Sequence, residues 1–115
     1  MKARVVTLVV TALLVWWLNR YPSYPDLAGH LFYFSKQSCT FCQRLQPEWQ
    51  KFVRALPRDA GVTPVQVQDG GEQDLAVRLG VRRFPTIVMI DRSGARRDFT
   101  GPRTAQALLA FALDK

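Results

Sequence analysis

A strand-like run, Leu31-Phe-Tyr-Phe34, leads within a few residues into Cys39-Thr-Phe-Cys42, which holds the only two cysteines of the chain. From Cys39 to Leu56 the residues Leu45, Trp49, Phe52, Val53 and Leu56 recur at helical spacing, and Pro57 ends the pattern. Both thiols are therefore expected on the first turn of an amphipathic helix that follows a buried strand. A helix start presents unpaired N–H groups and partial positive charge, which favour thiolate over thiol. Thiolate is the nucleophile, so a dithiol at this place points to redox chemistry.

Three other uses of two cysteines stay open at this stage. A structural zinc site needs about four ligands, and only His30 is left to join the pair. A purely structural disulfide would close a very small loop, where the entropic gain is least. Two cysteines can also be inert core residues.

The length bounds one domain, and 48% apolar with 22% charged residues is ordinary for a globular chain. The apolar share is raised by an uncharged run from Val5 to Leu18, preceded by Lys2 and Arg4 and followed by Arg20. At about 1.5 Å per residue this run is short for the ~30 Å hydrocarbon core, and snorkelling flanks would extend it. Trp16, Trp17 and Tyr21 suit an interface. A retained membrane anchor over residues 5–18 fits best, because no small-residue cleavage site follows the run. A cleaved signal and a core element of the fold remain alternatives. The basic N-terminal flank places the N-terminus in the cytoplasm and the dithiol on the periplasmic or exterior side. Cleavage would instead give a secreted or periplasmic soluble protein. The expected organisation is an anchor or signal over 1–20, a Pro-rich linker over 21–29, and a domain over 30–115.

The formal charge is +7, and without residues 1–20, which hold three of the 16 basic residues and no acidic one, it is +4. The basic residues are scattered apart from Arg82-Arg83 and Arg96-Arg97, and no groove-reading motif is present, so no nucleic-acid partner is expected.

Beyond the first helix, Val65-Gln-Val-Gln68 alternates as a strand with Val65 and Val67 inward. Glu72 to Leu79 reads as a short helix opened by Asp69-Gly70-Gly71 and stopped at Gly80. Thr86 to Ile90 is a β-branched buried strand. Asp91-Arg-Ser-Gly94 turns the chain into an antiparallel partner over 95–100. Pro102 leads into a last helix from Ala105 to Leu113.

This order, β-α-β-α-β-β-α from residue 31 with a CxxC at the first strand-to-helix junction, resembles the thioredoxin fold. Pro47 lies inside the active-site helix, as a proline does in thioredoxins. Phe84-Pro85-Thr86 is similar to the thioredoxin cis-proline loop, and Gly101 follows the hairpin as a glycine does there. The resemblance covers about residues 30–115. It implies an α/β fold with a central four-stranded mixed sheet flanked by helices, preceded by the apolar N-terminal segment. It also implies that Cys39 is the attacking sulfur and Cys42 the buried resolving one. Phe84 and Pro85, with Thr40 and Phe41 between the thiols, are the implied substrate-binding residues. Arg82 and Arg83 lie beside that loop, where their field could lower the Cys39 pKa.

Two departures bear on the chemistry. The common Trp-Cys-Gly-Pro-Cys is Ser38-Cys-Thr-Phe-Cys42 here. Tyr33 stands where relatives carry a buried carboxylate, and the matching strand has no lysine. The implied activity is thiol–disulfide exchange with protein substrates bearing disulfides or dithiols, with an unidentified redox-recycling partner and no cofactor or metal. Reductase, oxidase and isomerase share the scaffold. A glutaredoxin-like, glutathione-linked thiol transferase is a second reading, suggested by Phe41 and Tyr33-Phe-Ser-Lys36. A non-enzymatic, membrane-tethered interaction module is a third.

Overall fold

The computed structural model describes residues 10–14, 23–68 and 73–114. Four strands, β1 (His30–Ser35), β2 (Thr63–Gln68), β3 (Thr86–Ile90) and β4 (Arg96–Asp98), form one sheet in the order β2-β1-β3-β4. β1 runs parallel to β2 and antiparallel to β3, which pairs antiparallel with β4. The parallel pair requires a crossover, supplied by α1 (Thr40–Ala55). α2 (Gln73–Arg78) and α3 (Ala105–Leu113) complete the fold.

β1 is buried over its last five residues, and its alternation feeds two cores. Leu31 and Tyr33, with Ile87 and Met89 of β3, face α1 and α3 through Leu45, Trp49, Phe52, Leu108 and Ala112. Phe32 and Phe34, with Val88 and Ile90, face the other way onto Leu75, Ala76 and Leu79 at α2. A sheet covered on both faces explains why β1 and β3 read as continuous apolar runs rather than alternating ones. Gly80 has φ +67°, a left-handed stop at the end of α2 that a glycine adopts without strain.

Several expected details shift. Val53 was expected on the buried face of α1, but it is 39% exposed. The buried stripe is Cys42, Leu45, Trp49 and Phe52, and Val53 lies at its edge, about 20° beyond Cys42 around the helix. The last helix spans Ala105–Leu113 as expected, with Pro102 two residues ahead of its N-cap Thr104, whose Oγ1 accepts the Ala107 N–H at 3.2 Å. Part of the expected linker packs on the domain. Pro25–Leu27 is a 3₁₀ turn, the Tyr24 N–H donates to the Gly94 carbonyl at 2.8 Å, and Asp26 meets Arg78 in a two-bond pair.

The expected anchor over 5–18 falls mostly outside the described residues; of it, residues 10–14 are helical and exposed. Tyr21, Pro22 and the Asp69-Gly70-Gly71-Glu72 lead-in to α2 also lie outside them. Among the described residues no helix is long and apolar enough to cross a membrane, so the expected spanning helix is not one of the elements seen.

Candidate active site

β1 ends at Ser35, and the chain turns through Lys36–Ser38 to present Cys39 as the N-cap of α1. That position favours a side chain able to accept from the third helical N–H. Here the acceptor is sulfur: Cys39 Sγ takes the Cys42 N–H at 3.1 Å. The Cys39 thiol also points at the Phe84 carbonyl, 3.6 Å away, in the loop that carries the cis Phe84–Pro85 bond. Both cysteines are free thiols, Cys39 half-buried and Cys42 3% exposed.

The two sulfurs are electrostatically unlike. The Cys42 side-chain hydrogen bond is the main influence that lowers the Cys39 pKa. Partial burial opposes it, and the Cys42 and Phe41 backbone N–H groups and the Arg103 guanidinium assist. Burial is the main influence that raises the Cys42 pKa, followed by its bond to Cys39; the Lys36 backbone and Arg103 pull the other way. One thiol ionises more readily than an ordinary cysteine and the other less readily.

Tyr33 lies fully buried behind the pair, and its hydroxyl donates to the Cys42 carbonyl at 3.0 Å. Burial, with the nearby thiols, pushes its phenol above the ordinary range, so it serves as a donor. Trp49 packs on its ring at 4.9 Å. Next to Cys42 a cavity of about 350 Å³ is lined largely by amides, among them Gln43, Gln46, Gln66 and Gln68. Gln46 and Gln66 exchange two hydrogen bonds at 3.1 and 2.8 Å, and Gln66 also donates to Ser35 Oγ at 3.2 Å. Among the described residues no carboxylate acts on either thiol.

The structure thus brings Cys39, Thr40, Phe41, Cys42, Phe84 and Pro85 to one end of the sheet. Thr40 is exposed, Phe41 is 57% exposed, and Phe84 and Pro85 are half-buried. His30 does not join the cysteines: it sits at the opposite end of β1, its Nδ1 against the Leu27 and Ala28 carbonyls at 3.0 and 3.1 Å. The cation acting on the thiols is Arg103, in place of the expected Arg82 and Arg83, which are exposed and do not figure among the influences on Cys39. Arg103 precedes the α3 cap, in a loop the fold carries across to α1, and stands 5.4 Å over the Phe41 ring. Its only sequence signal was a lone arginine between Pro102 and Thr104. Glu48 was also missed: its carboxylate accepts the Ala105 N–H at 2.9 Å and so fixes that loop.

Comparison with known proteins agrees with this geometry. The sequence profile of the Thioredoxin family matches residues 27–114. A probable protein disulfide-isomerase A4 of Caenorhabditis elegans is 32% identical over 78 residues, 67% of this chain and 12% of that protein. Protein disulfide-isomerase A6 of Mus musculus is 37% identical over 76 residues, 65% of this chain and 17% of that protein. The matched stretch therefore spans less than a fifth of the length of either of these two relatives. Among solved structures, the first two thioredoxin domains of Saccharomyces cerevisiae Eps1p align with a TM-score of 0.67 at 30% identity, over 76% of this chain and 35% of that one. The first thioredoxin domain of mouse protein disulfide-isomerase A4 aligns with a TM-score of 0.63 at 25% identity, over 72% and 59%. With the profile covering β1–β4 and α1–α3, the chain belongs to the thioredoxin family.

Proposed function

We propose that the protein is a thiol–disulfide oxidoreductase acting on protein clients, with Cys39 as nucleophile and Cys42 as resolving thiol. The observation that carries this reading is the opposite tuning of the two sulfurs, with Cys39 half-buried at the helix cap and Cys42 buried behind it. Cys39 thiolate attacks one sulfur of a client disulfide, forming a Cys39–client disulfide and releasing the other client sulfur as a thiolate that takes up a proton. Cys42 then loses its proton, attacks Cys39 Sγ and expels the second client thiolate. Two electrons have passed from the dithiol to the client, and the reverse sequence oxidises a client dithiol. Phe84 offers its backbone beside Cys39 to an extended client segment, as in edge recognition. Relatives named as protein disulfide-isomerases support protein clients over a glutathione-linked transferase.

The test is insulin-disulfide reduction, with clients examined on non-reducing gels. Cys42→Ser should accumulate mixed disulfides, and Cys39→Ser should accumulate none and be inactive. The opposite pattern reverses the roles, and activity in both variants removes the dithiol from the mechanism.

Residues 5–18 are proposed to hold the domain at a membrane, on the strength of the uncharged run and its basic flanks. A full-length chain that stays in a carbonate-washed pellet supports this. A mature form beginning near residues 21–30 would make the run a cleaved signal.

A further inference from the structure

The rim around the dithiol is strongly basic. The described segments that form it, residues 36–46, 82–87 and 99–104, carry Lys36, Arg44, Arg82, Arg83 and Arg103 and no carboxylate. All five are exposed, and none has an ion-pair partner among the described residues. Two of them are held in place. Arg44 and Arg103 stand over the exposed Phe41 ring at 6.0 and 5.4 Å, so their guanidinium forks are ordered by cation–π contact while their N–H groups remain free. Arg83 and Phe84 are consecutive, and the Phe84 carbonyl is the group facing Cys39 Sγ. Basic residues are thus carried on both segments that meet at Cys39, Arg44 and Arg103 around the start of α1 and Arg82 and Arg83 on the Pro85 loop.

We propose that this rim selects client segments with acidic residues next to the reacting cysteine. The proposal rests on the thiol–disulfide reading above and names the substrate class of that site. A client in extended conformation rises about 3.3 Å per residue, so side chains one or two positions from its cysteine lie within about 7 Å of the attacked sulfur. The Arg44 and Arg103 forks stand over the ring of Phe41, the residue that lies between the two cysteines in sequence, and so border the surface such side chains would cross. Acidic side chains there meet bidentate donors, whereas lysines meet like charge.

The experiment uses the full chain, reduced, and three synthetic disulfide peptides that differ only in flanking Glu, Gln or Lys. Each reduction rate is divided by the rate of the same peptide with dithiothreitol, which removes the effect of flanking charge on the peptide's own thiols. At low ionic strength the acidic peptide should react about five- to tenfold faster than the neutral one, and the basic peptide slower by a similar factor. The ratios should collapse toward one at about 1 M salt, where the screening length is about 3 Å. Arg44→Glu and Arg82→Glu should abolish or invert the ratio. Equal normalised rates in the wild type, or ratios indifferent to both salt and charge reversal, overturn the proposal. Ratios kept by both variants while binding to phosphatidylserine vesicles is lost would assign the rim to lipid and overturn it equally. Failure of all three peptides to react would bring down the thiol–disulfide reading itself.

Discussion

The Glu48 carboxylate on α1 accepts the Ala105 backbone N–H at the start of α3, 2.9 Å away, and so ties the helix carrying the dithiol to the loop carrying Arg103. Both bonds at this helix start, from Thr104 and from Glu48, satisfy N–H groups that have no partner inside α3. Glu48→Ala should lower stability by about 1 kcal/mol in urea denaturation. It should also free Arg103 from its place over Phe41, and the Cys39 pKa should rise in the same variant. An unchanged Cys39 pKa would mean that the loop is held by other contacts.

Alkylation of the reduced protein by iodoacetamide should report the lowered Cys39 pKa directly. Its rate should reach half-maximum below about pH 8.5, the ordinary thiol value, and fall as pH drops further. Because the Cys42 side chain is the largest influence on Cys39, Cys42→Ala should move the midpoint back up. A midpoint unmoved by that change would leave the helix cap and Arg103 as the main causes.

Tyr33 links its hydroxyl to the Cys42 carbonyl from a fully buried position. Its phenol ionises at higher pH in the folded than in the unfolded chain, chiefly because of burial. Stability from this group is therefore intact below about pH 10 and lost as pH rises beyond it, because the unfolded chain releases the proton first. Tyr33→Phe should remove that alkaline slope at a cost of about 1 kcal/mol at neutral pH. Denaturation curves collected from pH 7 to 11 on both proteins provide the comparison.

Phe52 and Val53 are neighbours on α1 with opposite fates, 0% and 39% exposed. Phe52→Ala should cost about 3–5 kcal/mol, since it opens a cavity between α1, the sheet and Trp49. Val53→Ala should stay within about 0.5 kcal/mol, as an exposed substitution in a helix interior. Similar losses at both positions would mean that α1 packs against a further surface.

That pair also shows what the sequence could and could not reveal. Local patterns fixed the elements: Thr86–Ile90 and Ala105–Leu113 were readable residue by residue, and Cys39 fell at the helix start where spacing put it. Apolar spacing names a face but not its width, which is decided by how far the sheet and α3 extend over the helix, so Val53 was misplaced. Arg103, Glu48 and the Gln46–Gln66–Ser35 cluster were invisible for a related reason. Each meets its partner only after distant elements pack, and no local period marks such a contact.

The amide lining behind Cys42 has an electrochemical consequence. Glutamine does not titrate, so the glutamines lining this cavity add no proton of their own to those of the two thiols as the disulfide is reduced. Below both thiol pKa values, two protons accompany two electrons, and the midpoint potential should fall by about 59 mV per pH unit. Between the two values Cys39 is already a thiolate, one proton is taken up, and the slope should halve to about 30 mV. A potential–pH plot for this dithiol should consequently bend once at Cys39 and once at Cys42. The additional break that a buried carboxylate would introduce should be missing.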